Sequence, residues 1–264
     1  MAYADGMFHL PSAMAALLAA ILIQIGTNFA NDYFDYLKGA DTAERLGPTR
    51  VTQAGLVSPA TMKKAFILTF AAAMLLGVYL VWRGGWPIVL IGLVSIMLGI
   101  FYTATPFALG YTGAADLFVL IFFGPVAVAG TYYVQALTVS REAVIAGFAP
   151  GFISVALLTV NNLRDLEQDR KAGKKTLAVR FGQAFARREY GAALLLACLI
   201  PTYLILNAND HYLTLSIWLT LFFALPALKH VYTFQDPRVL NEALAHTGKL
   251  LFLFGLLFSF GWIL

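Results

Sequence analysis

Two stretches of the chain, Asn28-Phe-Ala-Asn-Asp-Tyr-Phe-Asp35 and Asn161-Asn-Leu-Arg-Asp-Leu-Glu-Gln-Asp169, put carboxylates and amides at helical spacing beside apolar runs. At 100° per residue, Asn28, Asn31, Asp32 and Asp35 fall within an arc of roughly 100°, as do Asn161, Asn162, Asp165 and Asp169. Placing one such charged residue at membrane depth costs about 2.5–3.5 kcal/mol, so two matched clusters call for a compensating partner. A bound cation is the natural one. Mg²⁺ takes one or two carboxylates and completes its shell with phosphate oxygens and water. The cations needed for phosphate lie close by: Arg164 inside the second stripe, Lys174, Lys175 and Arg180 just after it, and Arg50 in a loop beside Gly47-Pro48 and Gln53. Arg50 in that setting reads as an anion-binding residue. Gln24 lies one turn before Asn28 on the same arc, and Lys38, Asp41, Gln53 and Asp116 are further candidates to line a substrate site.

Those stripes must be carried by membrane-spanning helices. The chain is 60% hydrophobic and only 12% charged, against about 25% charged residues in a soluble domain. Eight apolar stretches long enough to cross a bilayer can be laid out, at about 10–31, 62–82, 86–104, 114–137, 142–163, 189–206, 212–233 and 244–263. The expected fold is an all-α polytopic transmembrane bundle. Under this layout sixteen of the 18 Lys and Arg residues fall on the side of the stripes, with only Arg83 and Arg141 opposite. That asymmetry orients the stripes toward the cytoplasm and places the protein in the cytoplasmic (inner) membrane. Residues 38–59 form a long polar connection, the kind of loop that covers a cavity. A single cysteine, Cys198, excludes a disulfide framework. Nothing in the charge pattern calls for a nucleic-acid partner.

The stripes repeat at one spacing: Asn28 to Asn161 is 133 residues, and Asp32 to Asp165 is 133 again. Four helices intervene, so both stripes end at the same membrane face. The chain is expected to be one domain, 1–264, of two parallel four-helix halves at about 10–137 and 142–263. Parallel halves disfavour an inverted-repeat transporter. A cation-coupled transporter would use the stripes but leave the Lys174 to Arg180 cluster without a task, and a structural anchor would have no use for either. An anionic head with a greasy tail is the substrate that suits polar sites at the rim of an apolar bundle. The layout places the amino terminus outside with no basic residue to orient it, so a further helix is expected before Met1, or a true start upstream.

These residues resemble the UbiA-type superfamily of intramembrane aromatic prenyltransferases. The resemblance covers nearly the whole chain, through Gln24 to Asp41, Arg45-Leu-Gly-Pro-Thr-Arg-Val-Thr-Gln-Ala-Gly55, Phe122 to Tyr133 and Asn161 to Gly182. The first and last segments match the superfamily's two aspartate-rich motifs. The middle two are most similar to the branch acting on 1,4-dihydroxy-2-naphthoate. The resemblance implies nine helices, the first of them absent here, and Mg²⁺-dependent transfer from a polyprenyl diphosphate to the naphthoate ring with loss of CO₂; prenyl or phytyl transfer to another aromatic acceptor is the alternative. It also implies that Asp32, Asp35, Asp165 and Asp169, with Asn28, Asn31, Asn161 and Asn162, hold the metal, while Arg50, Lys174, Lys175 and Arg164 bind diphosphate. The chain departs from the pattern at Gly39, where the superfamily has a further aspartate and this chain has its next acid at Asp41, and at Asp116, where the branch commonly has glutamate.

Overall fold

The computed structural model describes residues 1–39, 45–104 and 108–264. The helices are α1 (Leu10–Leu37), α2 (Pro59–Gly84), α3 (Trp86–Phe101), α4 (Ala115–Ile121), α5 (Ala127–Ala136), α6 (Arg141–Arg164), α7 (Leu166–Lys171), α8 (Leu177–Phe181), α9 (Gln183–Ala208), α10 (Leu219–Phe223), α11 (Leu225–Thr233) and α12 (Leu240–Ile263). Seven helical spans among the described residues are long and apolar enough to cross a membrane, and α3 is a shorter apolar eighth. The all-α multi-pass architecture is therefore as the sequence predicts. At 1.5 Å per residue, the 16 residues of α3 reach roughly 24 Å, less than the ~30 Å of a hydrocarbon core.

Two of the eight expected rods are broken, each by proline. The segment 114–137 becomes α4, a wide turn at Phe122–Val126 and α5. Pro125 has no N–H to give and its ring crowds the preceding turn, so the backbone leaves helical geometry at Gly124. The segment 212–233 becomes a tight helix at Tyr212–Trp218, then α10 and α11, with Pro226 at the start of the last. Other helices outrun their apolar cores. Helix α2 starts at Pro59 because Ser58 caps it, accepting from Thr61 N at 3.2 Å, and α9 begins six residues before the expected 189.

The elements that aim the site are α1 and α6. Gly26, Ala30, Tyr33 and Phe34 of α1 pack against Phe66 and Phe70 of α2, which turns the Asn31–Asp35 side toward the middle of the bundle. Helix α6 is the most enclosed. Its Ala156, Val160 and Leu163 share a core with Ala186, Tyr190 and Leu194 of α9 and with Val231, Leu240 and Ala243. On another face Gly147 and Gly151 admit the kinked α4–α5 segment: a Cβ on Gly151 would stand 2.5 Å from the Leu120 carbonyl oxygen and 3.0 Å from Gly124 Cα. Both obstacles are backbone and cannot swing away. Gly151→Ala is therefore expected to cost about 1–3 kcal/mol through overpacking, read as a lower midpoint of unfolding in detergent while the helical content of the folded state is unchanged.

Candidate active site

Both polar stripes reach one small pocket at one end of the bundle. It is lined by Asn31 and Asp35 from α1, Asn161, Asn162, Asp165 and Asp169 from the end of α6 and from α7, and Arg45, Arg50, Tyr102, Thr103, Gly110, Tyr111 and Lys174 from the connecting loops. The second stripe does not lie on one continuous helix. Helix α6 stops at Arg164, Asp165 sits at the junction with φ −92° and ψ 8°, and α7 begins at Leu166. One hydrogen bond, from Asp169 N to Asp165 O at 2.8 Å, keeps the two carboxylates one turn apart across the break.

The pocket holds its charges in pairs. Asp35 faces Arg50 at 3.7 Å, and Asp169 takes the Lys174 ammonium at 2.8 Å. Lys38 and Lys174 both lie over the Tyr111 ring, 4.9 and 5.1 Å from its centroid. Two cations on one ring repel each other, and an anion arriving between them relieves that repulsion. Lys38 also donates to the Thr103 carbonyl, while the Thr103 hydroxyl donates to Asn31 Oδ1 at 2.9 Å.

Asp32 and Arg164 play different parts from their neighbours. Asp32 is buried outside the pocket lining and accepts from the backbone N–H groups of Val51 and Thr52 at 3.2 and 3.3 Å. It thus ties the turn that carries Arg50 to α1. Arg164, expected at the diphosphate, is 2% exposed and its hydrogen bonds go to protein partners. It donates to both oxygens of Asp165 (Nε to Oδ1 2.7 Å, Nη2 to Oδ2 2.6 Å), to Asn161 Oδ1 at 2.8 Å and to Asn241 Oδ1 at 2.9 Å. Asn241 in turn donates to the Leu46 carbonyl at 2.9 Å. A Cβ on Gly47 would stand 2.8 Å from Arg164 Nη2. The 45–58 loop is therefore pinned to the first stripe through Asp32 and to the second through Arg164 and Asn241.

None of the other expected residues that the structure describes lines this pocket. Gln24 and Asn28 are exposed on α1 further into the span, Gln53 is partly buried in the loop, and Lys175 is exposed. The Lys175 backbone N–H bonds to the Tyr111 carbonyl at 2.8 Å, which places Lys174 under the ring. Asp41 falls outside the described residues. Asp116 is absent from this pocket and lines a second cavity. Sequence reading missed Arg45, Tyr102, Thr103, Tyr111 and Asn241. Tyr102-Thr-Ala-Thr-Pro and Gly110-Tyr-Thr-Gly were visible as a polar interruption between apolar runs, whereas no local signal marks Asn241.

Burial pushes the Asp169 carboxyl above the ordinary carboxylate range, and Lys174 opposes the rise. For Lys174, burial works against the charge, yet Asp169, with help from Tyr111 and Asp35, holds its affinity for the proton above that of a free lysine. Burial, together with Asp116, Asp169 and Asp35, pushes the Tyr102 hydroxyl up as well, so it remains a neutral donor. A cation bound here would need Asp169 ionised, and that form is lost as pH falls through its raised pKa. Lys174→Met removes the influence that lowers it. The acid limb of kcat/KM against pH is expected to move to higher pH in that variant, with kcat/KM on the plateau about 10- to 100-fold lower from the lost charged hydrogen bond.

The donors fit a hard cation: carboxylate and amide oxygens, with no imidazole or thiolate in the lining. Among the described residues no group of three acids, histidines or cysteines is placed to hold a metal by itself. An ion here would take one or two carboxylates and complete its shell with ligand oxygens, the habit of Mg²⁺ at phosphate sites.

Comparison with known proteins agrees with this chemistry. The 1,4-dihydroxy-2-naphthoate octaprenyltransferase of Haemophilus influenzae is 38% identical over 257 residues, covering 93% of this chain and 82% of that one. The enzyme of the same description from Escherichia coli is 37% identical over 272 residues, covering 99% and 87%. The solved structure of a UbiA homologue from Archaeoglobus fulgidus has the same fold, with a TM-score of 0.65 at 17% identity over 97% of this chain and 89% of that one. The model of the UbiA prenyltransferase family matches residues 1–263, so the paired acidic stripes at the end of an apolar bundle have a family setting, and the chain belongs to that family.

Proposed function

We propose that the protein transfers a polyprenyl chain from polyprenyl diphosphate to 1,4-dihydroxy-2-naphthoate, releasing diphosphate and CO₂ and forming demethylmenaquinol, the reduced form of demethylmenaquinone. The observation that carries this reading is the pocket itself, where carboxylates from two stripes and the cations of the loops meet at the end of an apolar bundle. Arg50 and Lys174 are the cations placed to leave their carboxylates for phosphate oxygens, with Arg45 and Lys38 beside them. That exchange frees Asp35 and Asp169 which, with Asp165 and the amides of Asn31, Asn161 and Asn162, would hold Mg²⁺. When bound, Mg²⁺ supplies Lewis-acid stabilisation of charge on the departing diphosphate. Asp32 contributes by holding the Arg50 turn, and Arg164 by fixing Asp165.

The allylic C–O bond breaks and its electron pair leaves with the diphosphate. Ring electrons form the new C–C bond; the alkylated carbon loses its proton, and the carbon that releases CO₂ gains one. The 45–58 loop, pinned across both stripes, keeps water from the allylic cation. The same reading makes 1–264 one domain of two parallel halves, supported by the close packing of equivalent pairs, α1 on α2 and α6 on α9. It sets the pocket toward the cytoplasm, supported by the distribution of Lys and Arg.

The test is mass-spectrometric identification of products from purified protein, Mg²⁺, 1,4-dihydroxy-2-naphthoate and prenyl diphosphates of several lengths. The expected product carries the prenyl mass and has lost CO₂. Product formation only with a different aromatic acceptor would reassign the substrate.

A further inference from the structure

A second cavity, of about 460 Å³, lies between α4, α6 and α9, within the roughly 300–1,000 Å³ typical of ligand sites. Its walls are mostly apolar, including Leu120, Phe152, Phe185 and Ala193, and Leu117 and Leu196 at its edge are exposed on the bundle surface. Three charged residues also line it: Asp116, Arg188 and Glu189. Asp116 is 7% exposed, and neither of its carboxyl oxygens has a hydrogen-bond partner among the described residues. Glu189 lies within electrostatic reach of Asp116 and of Thr159, whose hydroxyl donates to the Val155 carbonyl at 2.9 Å. Buried acceptors without donors are costly and native proteins satisfy them, so the cavity calls for a ligand that brings donors. Asp116 also lies within electrostatic reach of Tyr102, a residue of the polar pocket's lining.

We propose that this cavity is the acceptor site, and that it takes a flat aromatic ring carrying hydroxyl groups and a carboxylate. The hydroxyls donate to Asp116 and Glu189, the carboxylate pairs with Arg188, and Phe152 and Phe185 flank the ring. A zwitterionic lipid headgroup fits less well, because it would bring a full ammonium charge to Asp116 beneath the surface, where neutral hydroxyls are cheaper to bury. Asp116, Arg188 and Glu189 would then select the acceptor and leave donor binding to the polar pocket. This inference rests on the acceptor being an aromatic hydroxy acid, as proposed above.

The experiment measures equilibrium binding to the full chain in nanodiscs without prenyl diphosphate. The probes are 1,4-dihydroxy-2-naphthoate, 1,4-dihydroxynaphthalene and 1,4-dimethoxy-2-naphthoate. Arg188→Gln, at an exposed position, is expected to weaken the dihydroxy acid about 10-fold or more and leave dihydroxynaphthalene unchanged. Glu189→Gln and Asp116→Leu should weaken both hydroxyl-bearing probes, and the dimethoxy acid should bind the wild type poorly. In turnover, KM for the acceptor should rise in Arg188→Gln and Glu189→Gln while KM for the prenyl diphosphate stays put. Wild-type acceptor binding in all three variants overturns the site, as does displacement of the probes by ethanolamine phospholipid in the nanodisc. The binding pattern without naphthoate turnover would fault the proposed reaction alone, and turnover with unchanged acceptor KM in the variants would fault the site alone.

Discussion

Asp165→Asn is expected to lower prenyl transfer by at least about 10²–10³-fold, and to destabilise the protein at the same time. Two roles meet in this carboxylate. It lines the polar pocket, where it is proposed to help hold the metal, and both of its oxygens neutralise Arg164, whose side chain is 2% exposed. Removing one partner of a buried ion pair leaves the other charge uncompensated, at about 3–5 kcal/mol. Asp35→Asn provides the comparison: the Asp35–Arg50 contact is longer, 3.7 Å, and its arginine is far more accessible, 23% against 2% for Arg164. It should lose turnover to a similar degree with a much smaller change in unfolding midpoint. Measuring initial rate and unfolding midpoint on both variants separates the roles, and a wild-type rate in Asp165→Asn would remove the metal proposal.

The next largest effect is expected at Arg164. If its charge served a phosphate, Arg164→Lys would preserve much of the function. The geometry argues otherwise, because one planar guanidinium serves Asp165, Asn161 and Asn241 together, and a lysine ammonium cannot reproduce that fork. Arg164→Lys should therefore be nearly as damaging as Arg164→Gln, with kcat down by about 10²-fold. Through the lost Asn241 and Gly47 contacts, the 45–58 loop should be cut faster in limited proteolysis. A lysine variant that keeps kcat and raises only KM for the prenyl diphosphate would return Arg164 to the phosphate.

How much of this was legible in the sequence depended on distance along the chain. Asn28, Asn31, Asp32 and Asp35 could be grouped because helical periodicity places them on one arc, and the same holds for Asn161, Asn162 and Asp165. Eight apolar segments could be counted because the hydrocarbon core sets their length. The breaks at Pro125 and Pro226 were foreseeable in kind, yet the exit geometry at Gly124 depends on Gly147 and Gly151 lying against it. The partners of Arg164 were not legible, because a cation in an acidic motif looks alike whether it faces a ligand or a neighbour. Its partner Asn241 lies 77 residues away, and Asn241 joins Leu46 across 195. Glu189 passed unnoticed at the head of an apolar helix, because only the packing of α4 and α6 against α9 sets it beside Asp116.

By itself the sequence determined the solvent the chain lives in, the number of apolar segments, and that both stripes end at one face of the bundle. These follow from local composition and helical periodicity, which are properties of neighbouring residues. Only the tertiary structure decided which carboxylates line the pocket and which brace it, that Asp32 and Arg164 hold loop and motif in place, and that Asp116 and Glu189 share an apolar cavity. Those outcomes depend on how helices distant in sequence pack, and hence on which partner each polar group finds once water is excluded.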